Sequence, residues 1–148
     1  MPKATTLIHP LASMMVLSLV LGMPSYAQEA PSAPSLELEL NATQPSDKGC
    51  RLTFVVANKL GSDLSKAAFE IALFNDAGVV DRLTVLDFKD LPKEKTKVIR
   101  FDLAGVDCAR ISRVLINQAT ECAGADVEPG ACMGRLKLNS RTDTVFST

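Results

Sequence analysis

The chain has 148 residues, 16 Lys+Arg against 17 Asp+Glu for a formal net charge of −1, and 47% hydrophobic residues. That balance fits a single domain and excludes the strongly basic surface on which nucleic-acid binding depends. With one histidine, one tyrosine and no tryptophan, few side chains are left for proton-transfer chemistry.

Residues 1–27 read as an export signal. Lys3 gives a short positive start, Leu11 to Met23 is an almost unbroken apolar run, and Pro24-Ser25-Tyr26-Ala27 ends in a small-x-small pattern, so cleavage is expected after Ala27. The apolar run is 13 residues, too short for a helix across a hydrocarbon core of about 30 Å, so no transmembrane segment is expected in the mature form. Cleavage would remove His9 and Tyr26 and leave 121 residues, with 15 Lys+Arg against 17 Asp+Glu and a net charge of −2. There is no twin arginine, and Gln28 rather than cysteine follows the cut, which indicates the general secretory route and the periplasm rather than a lipid-anchored form. Residues 28–34 (QEAPSAP) should be an extended tether, and residues 35–148 the folded domain.

From Ser35 the apolar pattern has period two, the mark of strands with one buried face. Leu36, Leu38 and Leu40 alternate with glutamates. Cys50 to Asn58 points Leu52, Phe54 and Val56 inward, and Ala67 to Asn75 does the same with Phe69, Ile71 and Leu73, with Glu70 outward. Lys59 to Asp63 is a turn cluster, residues 62–67 hold a weak helical turn, and Asn75-Asp76-Ala77-Gly78 is a hairpin turn of the residues that accept positive φ. Val79 to Phe88 returns, residues 89–94 turn at Pro92, and Lys97 to Leu103 places Ile99, Phe101 and Leu103 inward with Arg100 outward. Ile111 to Asn117, carrying Val114 and Ile116, is a β-branched central strand, Gln118 to Gly134 is irregular, and Gly134 to Asn139 is a last strand. The expected fold is therefore all-β: a seven-stranded, two-layer antiparallel sandwich.

Four cysteines, Cys50, Cys108, Cys122 and Cys132, form an even set in an exported chain and read as two disulfides. A zinc site of four thiolates lacks any Cys-x2-Cys pair, and no Cys-x-x-Cys supports a redox enzyme. Asp81, Asp87 and Asp90, interleaved with Arg82 and Lys89, read as a solvated strand face rather than a catalytic or calcium-binding group. No Gly-x-Ser-x-Gly elbow occurs, and no catalytic residue, metal or cofactor is expected. Asn41-Ala42-Thr43 matches the glycosylation sequon only by chance. Lys93, Lys95, Lys97 and Arg100 make a basic run that keeps a sheet edge soluble or meets a partner. Val55, Ala72 and Phe74 lie opposite their core neighbours, forming either an exposed apolar patch or a second core under the 118–134 loop. Val55, Ala72, Phe74, Lys95 and Lys97 are thus the candidate partner surface.

Asn58, the Leu60-Gly61 turn, Phe69-x-Ile71-x-Leu73-Phe74-Asn75-x-x-Gly78-Val79-Val80, and Leu91-Pro92 before a strand ending in Phe101 resemble the immunoglobulin-like FxLYD type of bacterial envelope domain over about residues 50–103. Leu73-Phe74-Asn75 stands where that signature has Leu-Tyr-Asp, and Lys93 where it has glycine. The resemblance implies an extracytoplasmic scaffolding or binding module with no catalytic residue. The whole chain, Ile111 to Asn117 in particular, is also similar to small secreted alphaproteobacterial proteins without an assigned role. Three disulfide connectivities are open. In a sandwich of this strand order the second and fifth strands are antiparallel neighbours, which brings Cys50 towards Cys108, while Cys122 and Cys132 bracket the loop between two strands expected to pair. Cys50–Cys108 and Cys122–Cys132 are therefore expected.

The reading is a non-catalytic binding or scaffold module of the cell envelope that contacts an envelope or periplasmic protein. It would act through main-chain pairing at an open edge or docking of the 118–134 loop. The alternatives are an inhibitor or accessory subunit of an exported enzyme, and a carrier with an apolar slot between its sheets. The residues do not set an oligomeric state.

Overall fold

The computed structural model describes residues 1–3 and 32–148. The expected export signal beyond Lys3, its cleavage point, and residues 28–31 of the expected tether lie outside the described residues. Among the described residues no helix is long and apolar enough to cross a membrane.

Residues 32–148 form one unit built from eight strands: β1 (Ser35–Ser46), β2 (Gly49–Lys59), β3 (Leu64–Phe74), β4 (Val80–Leu91), β5 (Thr96–Ala104), β6 (Arg113–Ala123), β7 (Leu136–Ser140) and β8 (Val145–Ser147). A 3₁₀ turn at Cys108–Arg110 precedes β6, and a single helical turn, α1 (Ala131–Gly134), precedes β7. Two four-stranded sheets result, with strand orders β5-β2-β1-β7 and β4-β3-β6-β8. Neighbours are antiparallel except at one border of each sheet, where β7 runs parallel to β1 and β8 parallel to β6.

The period-two pattern explains the layering. Leu36, Leu38 and Leu40 of β1 and Leu52, Phe54 and Val56 of β2 are buried, as are Phe69, Ile71 and Leu73 of β3 and Val114 and Ile116 of β6. Five of the six phenylalanines meet in this core. Phe88 contacts Phe54 at 5.5 Å, Phe69 at 5.8 Å and Phe101 at 5.1 Å between ring centroids, all edge-to-face, and Phe146 lies 5.6 Å from Phe54. Such contacts between large rings contribute beyond the burial of their area. Ile99 and Phe101, expected fully inside, are partly buried against the core because β5 is an edge strand. Arg100 is exposed, as expected, and Glu70 lies half-buried on the outer face.

Four expectations need correction. There are eight strands in two mixed sheets, not seven antiparallel ones. β8 has three residues and one buried side chain, Phe146, too little for alternation to register. Parallel pairing of chain-terminal strands is a contact over long sequence separation, which period two does not encode. The helical turn expected at 62–67 is instead the approach to β3 and its first four residues, and the first six residues of the expected irregular segment are strand, since Gln118 to Ala123 continue β6. Their polar sequence hid the strand, but it pairs with β3 up to Lys66↔Ala123 across two register shifts.

Disulfides join Cys50 to Cys108 and Cys122 to Cys132. The first follows the expected geometry: Cys50 opposes Leu103 in the β2–β5 ladder, and the chain turns back within five residues to Cys108. The second forms for a different reason, because β6 and β7 lie in different sheets and do not pair. The bond instead ties the end of β6 to α1 where the chain crosses between sheets. Two disulfides suit an oxidising, extracytoplasmic environment.

The buried Asn58 is the polar clamp of one end. Its Nδ2 donates to the carbonyls of Leu91 (2.7 Å) and Ser62 (2.9 Å), and its Oδ1 accepts from the Leu60 amide (3.0 Å). One side chain thereby binds the end of β2 in the first sheet to the end of β4 in the second.

Candidate functional site

The two outer faces of the sandwich differ in chemistry. On the first sheet many outward residues are polar and paired, around the apolar Val55, Ala57 and Val98. Arg51 holds Asp102 through two hydrogen bonds of 2.9 and 3.0 Å, Lys59 meets Glu37 at 2.9 Å, and Glu39 accepts from Arg141, Asn139 and Asn41. These partners hold the carboxyls below their ordinary pKa values: Asp102 chiefly through Arg51, Glu37 chiefly through Lys59, and Glu39 through Asn41 and then Arg141. A groove of about 360 Å³ on this face is lined by Glu37, Glu39, Val55, Ala57 and Lys137 among others.

On the second sheet the outward residues are mostly apolar. The register aligns three rows across the strands. Val80, Phe74, Arg113 and Val145 form the first, Leu83, Ala72, Leu115 and Ser147 the second, and Val85, Glu70 and Gln118 the third. Val80, Leu83 and Val85 on β4 and Val145 on β8 are between 48% and 57% exposed. Phe74, the one phenylalanine outside the core, lies under the Arg113 guanidinium at 3.8 Å from its ring centroid, a cation–π contact. At the opposite end Glu70 accepts from Asn117 and Gln118, which draws its carboxylate over β6. Beyond it, Lys66–Glu121 and Lys89–Asp87 ion pairs of 2.9 and 2.7 Å close the patch, and Lys89 holds the Asp87 carboxyl below its ordinary value.

The structure brings two of the five expected surface residues together. Ala72 and Phe74 sit in the middle of this face, Ala72 covered by its neighbours. Val55 lies on the other side of the sandwich, beside Glu39 and Val98 of the first sheet. Lys95 is exposed in the β4–β5 turn, where its carbonyl accepts from the Asn58 amide, and Lys97 at the start of β5 donates to the Asp90 carbonyl at 2.7 Å. These lysines therefore fasten the β4–β5 corner. The sequence reading missed Val80, Leu83, Val85, Leu115 and Arg113. A signal was present in β4, where Leu83 and Val85 share one parity while Leu86 and Phe88 share the other, so the strand is apolar on both faces.

The acidic group of β4 does not converge. Asp87 pairs with Lys89 and Asp90 with Lys97, and Asp81 and Asp90 are nine residues apart on one strand, about 30 Å at strand rise. Among the described residues no three of His, Cys, Asp and Glu are grouped to hold a metal ion. No protein-family model matches the chain, and no curated protein or solved structure matches it significantly.

Proposed function

We propose that the chain is an exported, periplasmic, non-catalytic binding domain of the bacterial cell envelope, acting through protein–protein contact at the outer face of its second sheet. The observation that carries this reading is the contrast between the two faces. Ion pairs and amides link β1, β2 and β5 around a single aliphatic side chain more than half exposed, Val98, whereas β3, β4, β6 and β8 leave four aliphatic side chains about half exposed around Ala72. A face with no further task would be expected to carry the polar alternation seen along β1, where Glu37 and Glu39 alternate with buried leucines.

An immunoglobulin-like arrangement of the FxLYD type is supported by the strand partition. Strands one, two and five share one sheet in the order 5-2-1, with strand seven beyond strand one, and strands three and six are neighbours in the other, as in an immunoglobulin sandwich, while strand four lies beside strand three rather than beside strand five. The parallel terminal strands β7 and β8 depart from the all-antiparallel pattern. Export through a signal peptide at residues 1–27 is supported by the apolar run and the Ala27 site, and by disulfides at all four cysteines. The absence of histidine after position 27 supports a non-catalytic role.

The test is affinity purification from a bacterial periplasm using the tagged full chain, Leu83→Asp and Val98→Asp. Both substitutions replace exposed aliphatic residues, on opposite faces. A stoichiometric companion should be retained by Val98→Asp and lost with Leu83→Asp; equal retention by both variants overturns the reading.

A further inference from the structure

We propose that the outer face of the second sheet is self-complementary and takes a second copy of this chain, face to face, about a two-fold axis running across the strands at the level of Ala72. This rests on reading that face as a contact surface, and it specifies the occupant.

Charge and symmetry carry the argument. The patch has three rows, and its apolar middle row, Leu83, Ala72 and Leu115, separates two rows that each carry one charged side chain. Arg113 stands in the first row and Glu70 in the third. Among the described residues neither has an ion-pair partner. A two-fold axis along the strands would set each row against itself, so Arg113 and Glu70 of the two copies would stay apart. The axis across the strands superposes the middle rows and exchanges the outer ones, so each Arg113 faces the row that holds the other copy's Glu70. Glu70 belongs to β3 and Arg113 to β6, but the hydrogen bonds from Asn117 and Gln118 draw the Glu70 carboxylate over β6. That offset brings it to the strand on which the facing arginine lies. The two-fold then makes this ion pair twice, as an isologous interface requires, and places Leu83, Val80 and Val85 of each β4 against their counterparts.

The size of the face sets the strength. Four strands at about 4.8 Å and three outward rows spanning about 20 Å cover about 400 Å² of sheet per copy, about 800 Å² in total, which is below the size of stable interfaces and in the range of weak, transient contacts. The expected state is a reversible dimer that dissociates on dilution, not an obligate one.

The experiment is sedimentation velocity on protein purified after expression of the full chain, from about 5 to about 500 µM, concentrations that bracket the affinity of a contact this small. The mean mass should rise from monomer towards dimer across that range. Glu70→Arg and Arg113→Glu should each weaken dimerisation at least about tenfold, and their equimolar mixture should recover it as a heterodimer, because every facing pair is then opposite in sign. Circular dichroism confirms that each variant is folded, and Leu83→Asp, an exposed change, should abolish the dimer without either charge reversal. A wild-type chain that stays monomeric throughout overturns the proposal, as does a dimer indifferent to Leu83→Asp and to the reversals. If a monomeric chain still loses a heterologous companion on Leu83→Asp, the contact face stands and the second copy alone is refuted.

Discussion

Replacing Asn58 by alanine should destabilise the domain more than any exposed polar substitution, and the size of the effect follows from three hydrogen bonds. Asn58 is 1% exposed, and the Leu91 residue whose carbonyl it serves is 2% exposed. Removing the amide leaves that carbonyl buried and unpaired, which costs about 1–3 kcal/mol. The bonds to the Ser62 carbonyl and the Leu60 amide lie where water can partly replace the lost partner, so each adds about 0.5–1 kcal/mol. The total is about 3 kcal/mol. In a domain of this size about 1 kcal/mol moves Tm by about 4 °C, so Asn58→Ala should melt about 12 °C below wild type in a calorimetric scan. Asn58→Asp keeps the acceptor for Leu60 but turns a buried carboxylate oxygen towards the two carbonyls, and should fall at least as far. Asn41→Ala, which removes an exposed bond to Glu39, should move Tm by no more than about 2 °C. An Asn58→Ala variant within about 3 °C of wild type would refute the assignment of Asn58 as the clamp between the sheets.

Replacing Cys50 and Cys108 together by serine should cost about 4 kcal/mol, and replacing Cys122 and Cys132 about 3 kcal/mol, since the closed loops span 58 and 10 positions; denaturant unfolding that ranks the short loop first would contradict the chain-entropy account. At Gly49 an added Cβ would run into the Leu103 carbonyl, with the Gly105 and Val106 amides also close. Gly49→Ala should therefore destabilise by about 2 kcal/mol or more, and a wild-type melt would show that the approach of β2 to the end of β5 is looser than described. Asp87, Asp102, Glu37 and Glu39 have depressed pKa values in the folded state. Their contribution is therefore complete above the ordinary carboxylate range and is lost as pH falls from about 4 through the lower folded values. Arg51→Met should soften that acid loss by releasing Asp102, by a small amount because the pair is exposed; an unchanged acid profile would remove Arg51 as the cause.

The layers were legible in the sequence because each core strand obeys period two: Phe69, Ile71 and Leu73 could face only one way once Glu70 was outside. The Cys50–Cys108 bond was legible for the same reason, as it follows from two long antiparallel neighbours. The outer segment of β6 was not, because Gln118 to Ala123 bury little and are held by pairing with β3 rather than by their own composition. Nor was the crossing of the chain between sheets at residues 124–135 and again at 141–144, which depends on contacts distant in sequence. The candidate surface was half legible. Parity placed Ala72 and Phe74 outside, but it assigned no strand to a sheet, so Val55 was grouped with residues on the far side of the sandwich. Leu83 and Val85 were passed over because an apolar strand is ordinarily assigned a buried face, and β4 has apolar residues on both.

The most direct measurement of the central claim is site-specific photo-crosslinking in intact bacteria, with the reactive side chain placed at position 83 on the outer face of the second sheet and, separately, at position 98 on that of the first. Leu83 and Val98 are 57% and 62% exposed, so free accessibility alone predicts equal yields. The account predicts a discrete protein adduct from position 83, of twice the chain mass where a second copy is the occupant, and none above background from position 98. Equal adducts at both positions, or an adduct at position 98 alone, would contradict it.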